Sequence, residues 1–412
     1  MRINKLTSAL AIAGLATVSS AAFATDGYFS DGYGIKAKGM AGVSIALPQD
    51  ALAAANNPAG MVLVGDRLDL GLDWFRPIRN STISGAVGFP NGSYDSGKNN
   101  FFIPEVGYNK MLNPNMSVGV SVYGNGGMNT SYKKPIFGTT NPGIDLSQLF
   151  IAPTFAMKLN SSNAVGISLN FAYQRFKATG LQGFAGFSSS PSNLTDNGYD
   201  SSTGWGVKVG WNGQVTQDLS LGVTYQSKTD MGKFNKYKGL FAEQGGFDIP
   251  ENYGAGFAWK AAPGWTVAGD YKRINYSKVA AVGNPIDCLT TASCSLGANN
   301  GAGFGWRDMD VYKLAVSYEY SKDLTLRAGY SYGKQPIPNS QTLFNVLAPA
   351  VNNDHLTLGA TWTLANKAEL SLAYMHAFDN KVTGNIPTAF GGGTASLKMY
   401  QDSLGVAYGM KF

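Results

Sequence analysis

The sequence is poor in charge, histidine and cysteine, and it has no long apolar run. Of its 412 residues only 14% are Asp, Glu, Lys or Arg, against about a quarter in ordinary soluble domains. That scarcity argues against the two or three globular domains this length would otherwise hold. Two histidines, His355 and His376, leave little material for general-base or metal chemistry. No segment has about 18 consecutive apolar residues, so no spanning helix is expected. The net charge is +6, but the cations are scattered and no basic stripe marks a nucleic-acid site. What is abundant is glycine (52), tyrosine (21) and phenylalanine (22). Such a composition suits many twisted strands better than helices.

The first residues read as an export signal. Met1–Lys5 carries Arg2 and Lys5, Leu6–Val18 is mostly apolar, and "AFA" (Ala22–Ala24) supplies the small residues of a cleavage site. A cleaved signal peptide over 1–24 is expected, with a mature chain from about Thr25. Loss of Arg2 and Lys5 takes the formal charge from +6 to +4. At the other end, "KMYQDSLGVAYGMKF" alternates strictly. Leu404, Val406, Tyr408, Met410 and Phe412 fall on one face, and Ser403, Gly405, Ala407, Gly409 and Lys411 on the other. An alternating strand ending on phenylalanine resembles the assembly signal of bacterial outer-membrane barrels.

The alternation recurs in "VYKLAVSYEY", "LTLRAGYSY" and "HLTLGATWTL". In each, apolar side chains oppose small, polar or charged ones, as Leu314 and Val316 oppose Lys313 and Ser317. A soluble sandwich would bury the apolar face; a transmembrane barrel turns it outward. The export signal and the terminal Phe412 favour the barrel. Short turn sequences lie at 113–115, 160–163, 216–218, 261–264, 321–323 and 365–368. Longer polar loops lie near 80–100, 128–145, 180–202, 234–249, 280–305, 336–352 and 383–396. Six turns and seven loops predict an all-β, antiparallel barrel of about fourteen strands over 66–412, with both termini in the periplasm. Cys288 and Cys294, six residues apart in one loop, are expected to form a disulfide in that oxidising compartment rather than a metal site.

Residues 25–65 precede the first strand and are too irregular to be one. "LPQDALAAA" (Leu47–Ala55) reads as a short helix, which Asn57-Pro58 should end, leaving Gly60 to turn the chain toward the wall. A segment of this length could plug a barrel lumen. The stretch "GMAGVSIALPQDALAAANNPAGM" (Gly39–Met61) resembles the hatch of the long-chain fatty acid transporter family (FadL-type). Asp50-Ala51 followed by Asn57-Pro58-Ala59 matches that family's motif. "WRDMDVYKLAVSYEYSKDLTLRAGYSYGKQPIPN" (Trp306–Asn339) and "LSLAYMHAFDNKV" (Leu370–Val382) resemble its later strands. The resemblance implies a fourteen-stranded barrel with an N-terminal hatch. Its members include fatty acid transporters and channels for aromatic hydrocarbons.

The resemblance also assigns expected roles. Gly124-Asn125-Gly126-Gly127 interrupts the third strand, where the family bends inward and opens the wall. Arg175 and Lys177, with Lys278 from another strand, are the candidates for an anionic head group. No catalytic constellation, metal or cofactor is expected. The expected function is passive outer-membrane transport of hydrophobic molecules, foremost long-chain fatty acids. Capture at outer loops, an apolar lumen pocket and lateral exit are the steps. The expected partners are that ligand and outer-membrane lipid, with no nucleic acid, for a monomer. An aromatic hydrocarbon channel, a general water-filled porin, and an outer-membrane enzyme or adhesin are the alternatives.

Overall fold

The computed structural model describes residues 25–412; the expected signal peptide, 1–24, lies outside the described residues. The strands are β1 (Arg67–Ser84), β2 (Gly92–Asp95), β3 (Phe101–Asn113), β4 (Met116–Ser131), β5 (Gly143–Lys158), β6 (Asn163–Thr179), β7 (Asp200–Gln214) and β8 (Leu219–Gln226). They continue as β9 (Asp230–Met231), β10 (Asn252–Ala262), β11 (Trp265–Ile274), β12 (Met309–Ser321), β13 (Leu324–Gly333), β14 (Asp354–Thr363), β15 (Glu369–Asn385) and β16 (Thr394–Lys411). Neighbouring strands pair antiparallel, and β16 returns to β1 from Arg67↔Lys411 to Ser84↔Thr394, which closes the sheet. β2 and β9 are short appendages on β1 and β7, so the closed wall has fourteen strands.

The period of two sets which side chains face lipid. On β14, Leu356 and Leu358 are exposed while His355 and Thr357 are buried. On β6, Ile167, Leu169, Phe171 and Tyr173 are exposed while Ser168, Asn170 and Gln174 are buried. The face that a soluble protein would hide is the outer one. The short connections are tight turns: Asn160 Oδ1 accepts from the amides of Ser162 and Asn163, both at 2.9 Å. On the long-loop side the strands reach further than their patterning suggests. β1 continues to Ser84, β4 to Ser131, and β5 already begins at Gly143. Beyond the lipid the outer face meets polar surroundings while the inner face, as at Ile83, Ile144 and Leu146, packs into an apolar cluster, so the outward-apolar pattern fades although backbone pairing continues.

Residues 25–66 lie inside the wall and are almost entirely buried. The helix expected over 47–55 shrinks to Ala53–Asn56, preceded by another single turn at Ile35–Lys38. The cause is competition for backbone donors: Asp50 takes the Leu52 amide, and Asp69 of β1 takes that of Ala51. Asn57 is extended (φ −147°) and ends the helix. Pro58 then opens a 3₁₀ helix, Pro58–Leu63, so Gly60 lies within that helix and the turn to the wall is made at Gly65, with φ +74°.

Candidate functional site

Carboxylates from the wall hold the enclosed segment. Glu105 accepts from the amides of Gly34 (3.1 Å) and Ile35 (2.9 Å). Asp270 accepts from Ser44 (2.8 Å) and Ile45 (3.1 Å). Glu369 gathers Lys36 (2.5 Å), Arg67 (2.8 Å) and Lys411 (2.6 Å). Lys38 pairs with Asp73, which also accepts from Ser403 Oγ at 2.5 Å. Such charge-assisted bonds are roughly twice as strong as neutral ones. Asn57 donates through Nδ2 to the carbonyls of Ile45 (2.8 Å) and Trp211 (2.9 Å), and its Oδ1 accepts from the Ala59 amide (3.1 Å). The fit requires glycine on the facing strands. A Cβ on Gly210 would stand 1.9 Å from Asn57 Oδ1, and one on Gly166 would stand 2.4 Å from the Pro58 carbonyl carbon.

The wall is interrupted between β3 and β4. Their ladder runs from Asn113↔Met116 to Val106↔Val122 and stops. β3 begins at Phe101, five residues before that stop, and pairs there with β1. β4 goes on to Ser131 paired with β5, with a register shift between Gly124 and Gly126. From Tyr123 to Thr130 every residue of β4 is buried, so the in-and-out alternation ends where the strand leaves the wall. The enclosed segment meets the freed backbone. Gly127 N donates to the Tyr28 carbonyl (3.0 Å) and Ser30 N to the Asn125 carbonyl (3.2 Å). A Cβ on Gly126 would stand 2.1 Å from the Tyr28 carbonyl oxygen. Above the gap the neighbours meet again, with Gly97 N donating to Ser131 O (2.8 Å). The interruption is therefore a window with closed ends.

Two cavities flank an aromatic layer. The one on the long-loop side is lined by Phe176, Phe184, Phe241, Phe304, Phe344 and Leu347, among others. None of the side chains lining it is polar or charged. Phe247 joins Phe241 (4.9 Å between centroids) to Tyr28 (6.1 Å), and Trp306 joins Phe304 (6.3 Å) to Tyr28 (5.9 Å). The second cavity adjoins Phe29 and carries Lys208, Lys272, Lys313, Asp31 and Asp270. Lys313 is paired with Asp26 (3.2 Å), and Lys208 donates to the Ala55 carbonyl. Lys272 lies over the rings of Phe29 (5.1 Å) and Tyr33 (6.0 Å). Among the described residues no carboxylate stands within 4.0 Å of its Nζ.

The head-group candidates chosen from sequence lie elsewhere. Arg175 and Lys177 share the parity of the exposed Phe171 and Tyr173, so they leave the wall on its outer side, over the Tyr199 ring. Lys278 is exposed in a loop. The physical reason is the period of two: an odd position on β6 cannot reach the lumen that Gln174 and Phe176 face. The same rule would have found Lys208, Lys272 and Lys313, each on the small-residue face of its strand. Cys288 and Cys294 are joined by a disulfide in the loop before β12. His376 faces outward, its Nδ1 2.9 Å from Asp402, and His355 is buried. Among the described residues no cluster of His, Cys, Asp or Glu suits a metal.

This architecture has close counterparts among known proteins. The family described as Outer membrane protein transport protein (OMPP1/FadL/TodX) matches residues 11–412. The Pseudomonas putida toluene transporter TodX superposes with a TM-score of 0.71 at 20% identity, over 94% of this chain and 100% of that one. A Pseudomonas aeruginosa FadL homologue gives 0.69 at 16% identity, over 93% and 99%. The Ralstonia pickettii toluene transporter TbuX gives 0.64 at 17% identity, over the same shares. An outer membrane protein of Neisseria meningitidis serogroup B is 29% identical over 114 residues, 26% of this chain and 24% of that protein. Matched by the family along nearly its whole length, the chain belongs to the OMPP1/FadL/TodX family of outer-membrane transport proteins.

Proposed function

We propose that this protein passes hydrophobic molecules across the outer membrane without an energy source, with long-chain fatty acids as the substrate class. The long loops then face outward, and both termini face the periplasm. A ligand is taken into the apolar cavity, crosses the aromatic layer when the Tyr28–Phe29 segment moves, and leaves through the β3–β4 window beside Gly124–Gly127. The observation that carries this reading is the window itself, set against a floor held by carboxylates of several strands. Energetics favour the sideways route. Bringing apolar carbon into water costs about 0.8 kcal/mol per methylene, so roughly 12 kcal/mol for a sixteen-carbon chain. Exit into the bilayer avoids most of that.

Lys272 supports an acid over a neutral ligand. Its ammonium, like that of Lys208, has no carboxylate within 4.0 Å among the described residues, and both stand in the cavity below the aromatic layer. A fatty carboxylate would supply the missing counter-charge. The second reading is an aromatic hydrocarbon channel, favoured by the wholly apolar outer cavity and by the transport of toluene named for TodX and TbuX. Uptake of labelled palmitate and labelled toluene in cells lacking their own transporters separates the two. Palmitate uptake that depends on this protein and falls in Lys272→Ala supports the acid. Toluene uptake alone, indifferent to that substitution, favours the hydrocarbon. Steady ion conductance with neither uptake would mean a porin.

A further inference from the structure

The outward face of β6 runs Ile167, Leu169, Phe171 and Tyr173, all exposed, and then Arg175 and Lys177. Two residues along a strand is about 7 Å, so the cations begin one step past the apolar band. Several other cations on the outward face of the wall have carboxylates beside them. Arg76 is 4.0 Å from Asp402, Arg273 is 2.8 Å from Asp310, and Lys398 is 3.0 Å from Asp379. Arg175 and Lys177 have no such partner among the described residues. Both lie instead over one ring, Tyr199, at 4.5 and 5.0 Å.

Tyr199 organises more than those two. Its hydroxyl donates to Asp145 (2.7 Å), which also binds Lys98 (2.8 Å), and its carbonyl accepts from Lys236 Nζ (2.8 Å). Burial, and then the bond to Asp145, push the Tyr199 hydroxyl up to about 12, so the ring stays neutral. Four cations thus meet two carboxylates, Asp145 and Asp200, which accepts from the Lys236 amide. The cluster carries surplus positive charge, on preset side chains, where lipid gives way to head groups. A long cation can lay its stem along apolar surface and hold its charge at that depth.

We propose that Arg175 and Lys177, set by Tyr199, bind the phosphate groups of the phosphorylated glycolipid that forms the outer leaflet. The assignment rests on the long loops facing outward. Arg offers a planar fork suited to phosphate, and Lys a point charge. A lipid whose chains cover Phe171 and Tyr173 brings its phosphates to this height, which a soluble anion has no reason to do.

The test is native mass spectrometry of the detergent-solubilised protein titrated with bisphosphorylated lipid A, with dephosphorylated lipid A in parallel. Wild type should retain the bisphosphorylated form preferentially. Arg175→Gln/Lys177→Gln should bind it about thirtyfold more weakly, from about 1 kcal/mol per cation near a charged surface, and each single variant about fivefold. Lys228→Gln, at a paired cation elsewhere on the rim, should bind like wild type. Heat-modifiable migration confirms a folded barrel for each variant. Equal binding by the double variant, or equal retention of the dephosphorylated lipid, would overturn the proposal. So would displacement of lipid A by millimolar inorganic phosphate, since the site would then hold a free anion. Labelling a cysteine at Ser192 with an impermeant maleimide on intact cells tests the orientation separately.

Discussion

β1 and β3 both border the place where the sheet begins, yet their outer neighbours treat them differently. β16 follows β1 along its whole length, and the register never slips. β4 follows β3 only from Asn113 to Val106 and then abandons it. Both seams lie in the same wall, where an unpaired backbone group is costly and must find a partner inside the protein. The β1–β16 seam pairs strand with strand. At the β3–β4 seam, the enclosed segment at Tyr28–Ser30 takes up backbone bonds that β3 does not make. A wall can open where another part of the chain takes over the hydrogen bonds.

The strongest way to break that contrast is to make the second seam like the first. Cysteines at Ile103 and Met128, bridged by a bifunctional thiol reagent, should tie the lips of the window together. Uptake should fall at least tenfold and return when a cleavable bridge is cut. Unchanged uptake would place the exit elsewhere. The floor offers the next effect. Glu369→Gln removes the partner of Lys36, Arg67 and Lys411, and breaking a buried pair costs about 3–5 kcal/mol. Denaturant unfolding should show that loss, and conductance in planar bilayers should reveal a leak through the floor while the window variants stay tight.

Lys272→Ala should act on selectivity. It should weaken fatty acid binding by about 1.5–3 kcal/mol, measured by calorimetry, with a neutral alkane or aromatic little affected. Equal losses for both ligands would mean lost packing. The smallest effect belongs to the "NPA" turn. Asn57→Ala loses a cap on the Pro58–Leu63 helix, worth about 1 kcal/mol, plus two bonds to neighbouring carbonyls. Hydrogen exchange should quicken at Ala59 and Gly60, with the barrel ladder unchanged.

The sequence by itself determined the barrel. Strict alternation in "HLTLGATWTL", turn residues at six short connections and a terminal aromatic strand leave few other folds, because a period of two with apolar residues outward has a solvent only in lipid. It also placed a glycine run at the register shift of β4. Composition cannot say which neighbour a bent strand releases, and the answer, β3, came from pairing between strands. Nor could it say that Asp69 would draw the Ala51 amide and shorten a helix, since that bond joins residues eighteen apart. Arg175 was visible as a cation beside a good strand, but its direction depended on parity counted from Phe171 and Tyr173. Lys272 became a candidate only when the fold put it beneath Phe29 and Tyr33, more than two hundred residues away in sequence. Local pattern fixes which face a side chain takes; what it meets there is decided by strands and loops brought together only when the barrel closes.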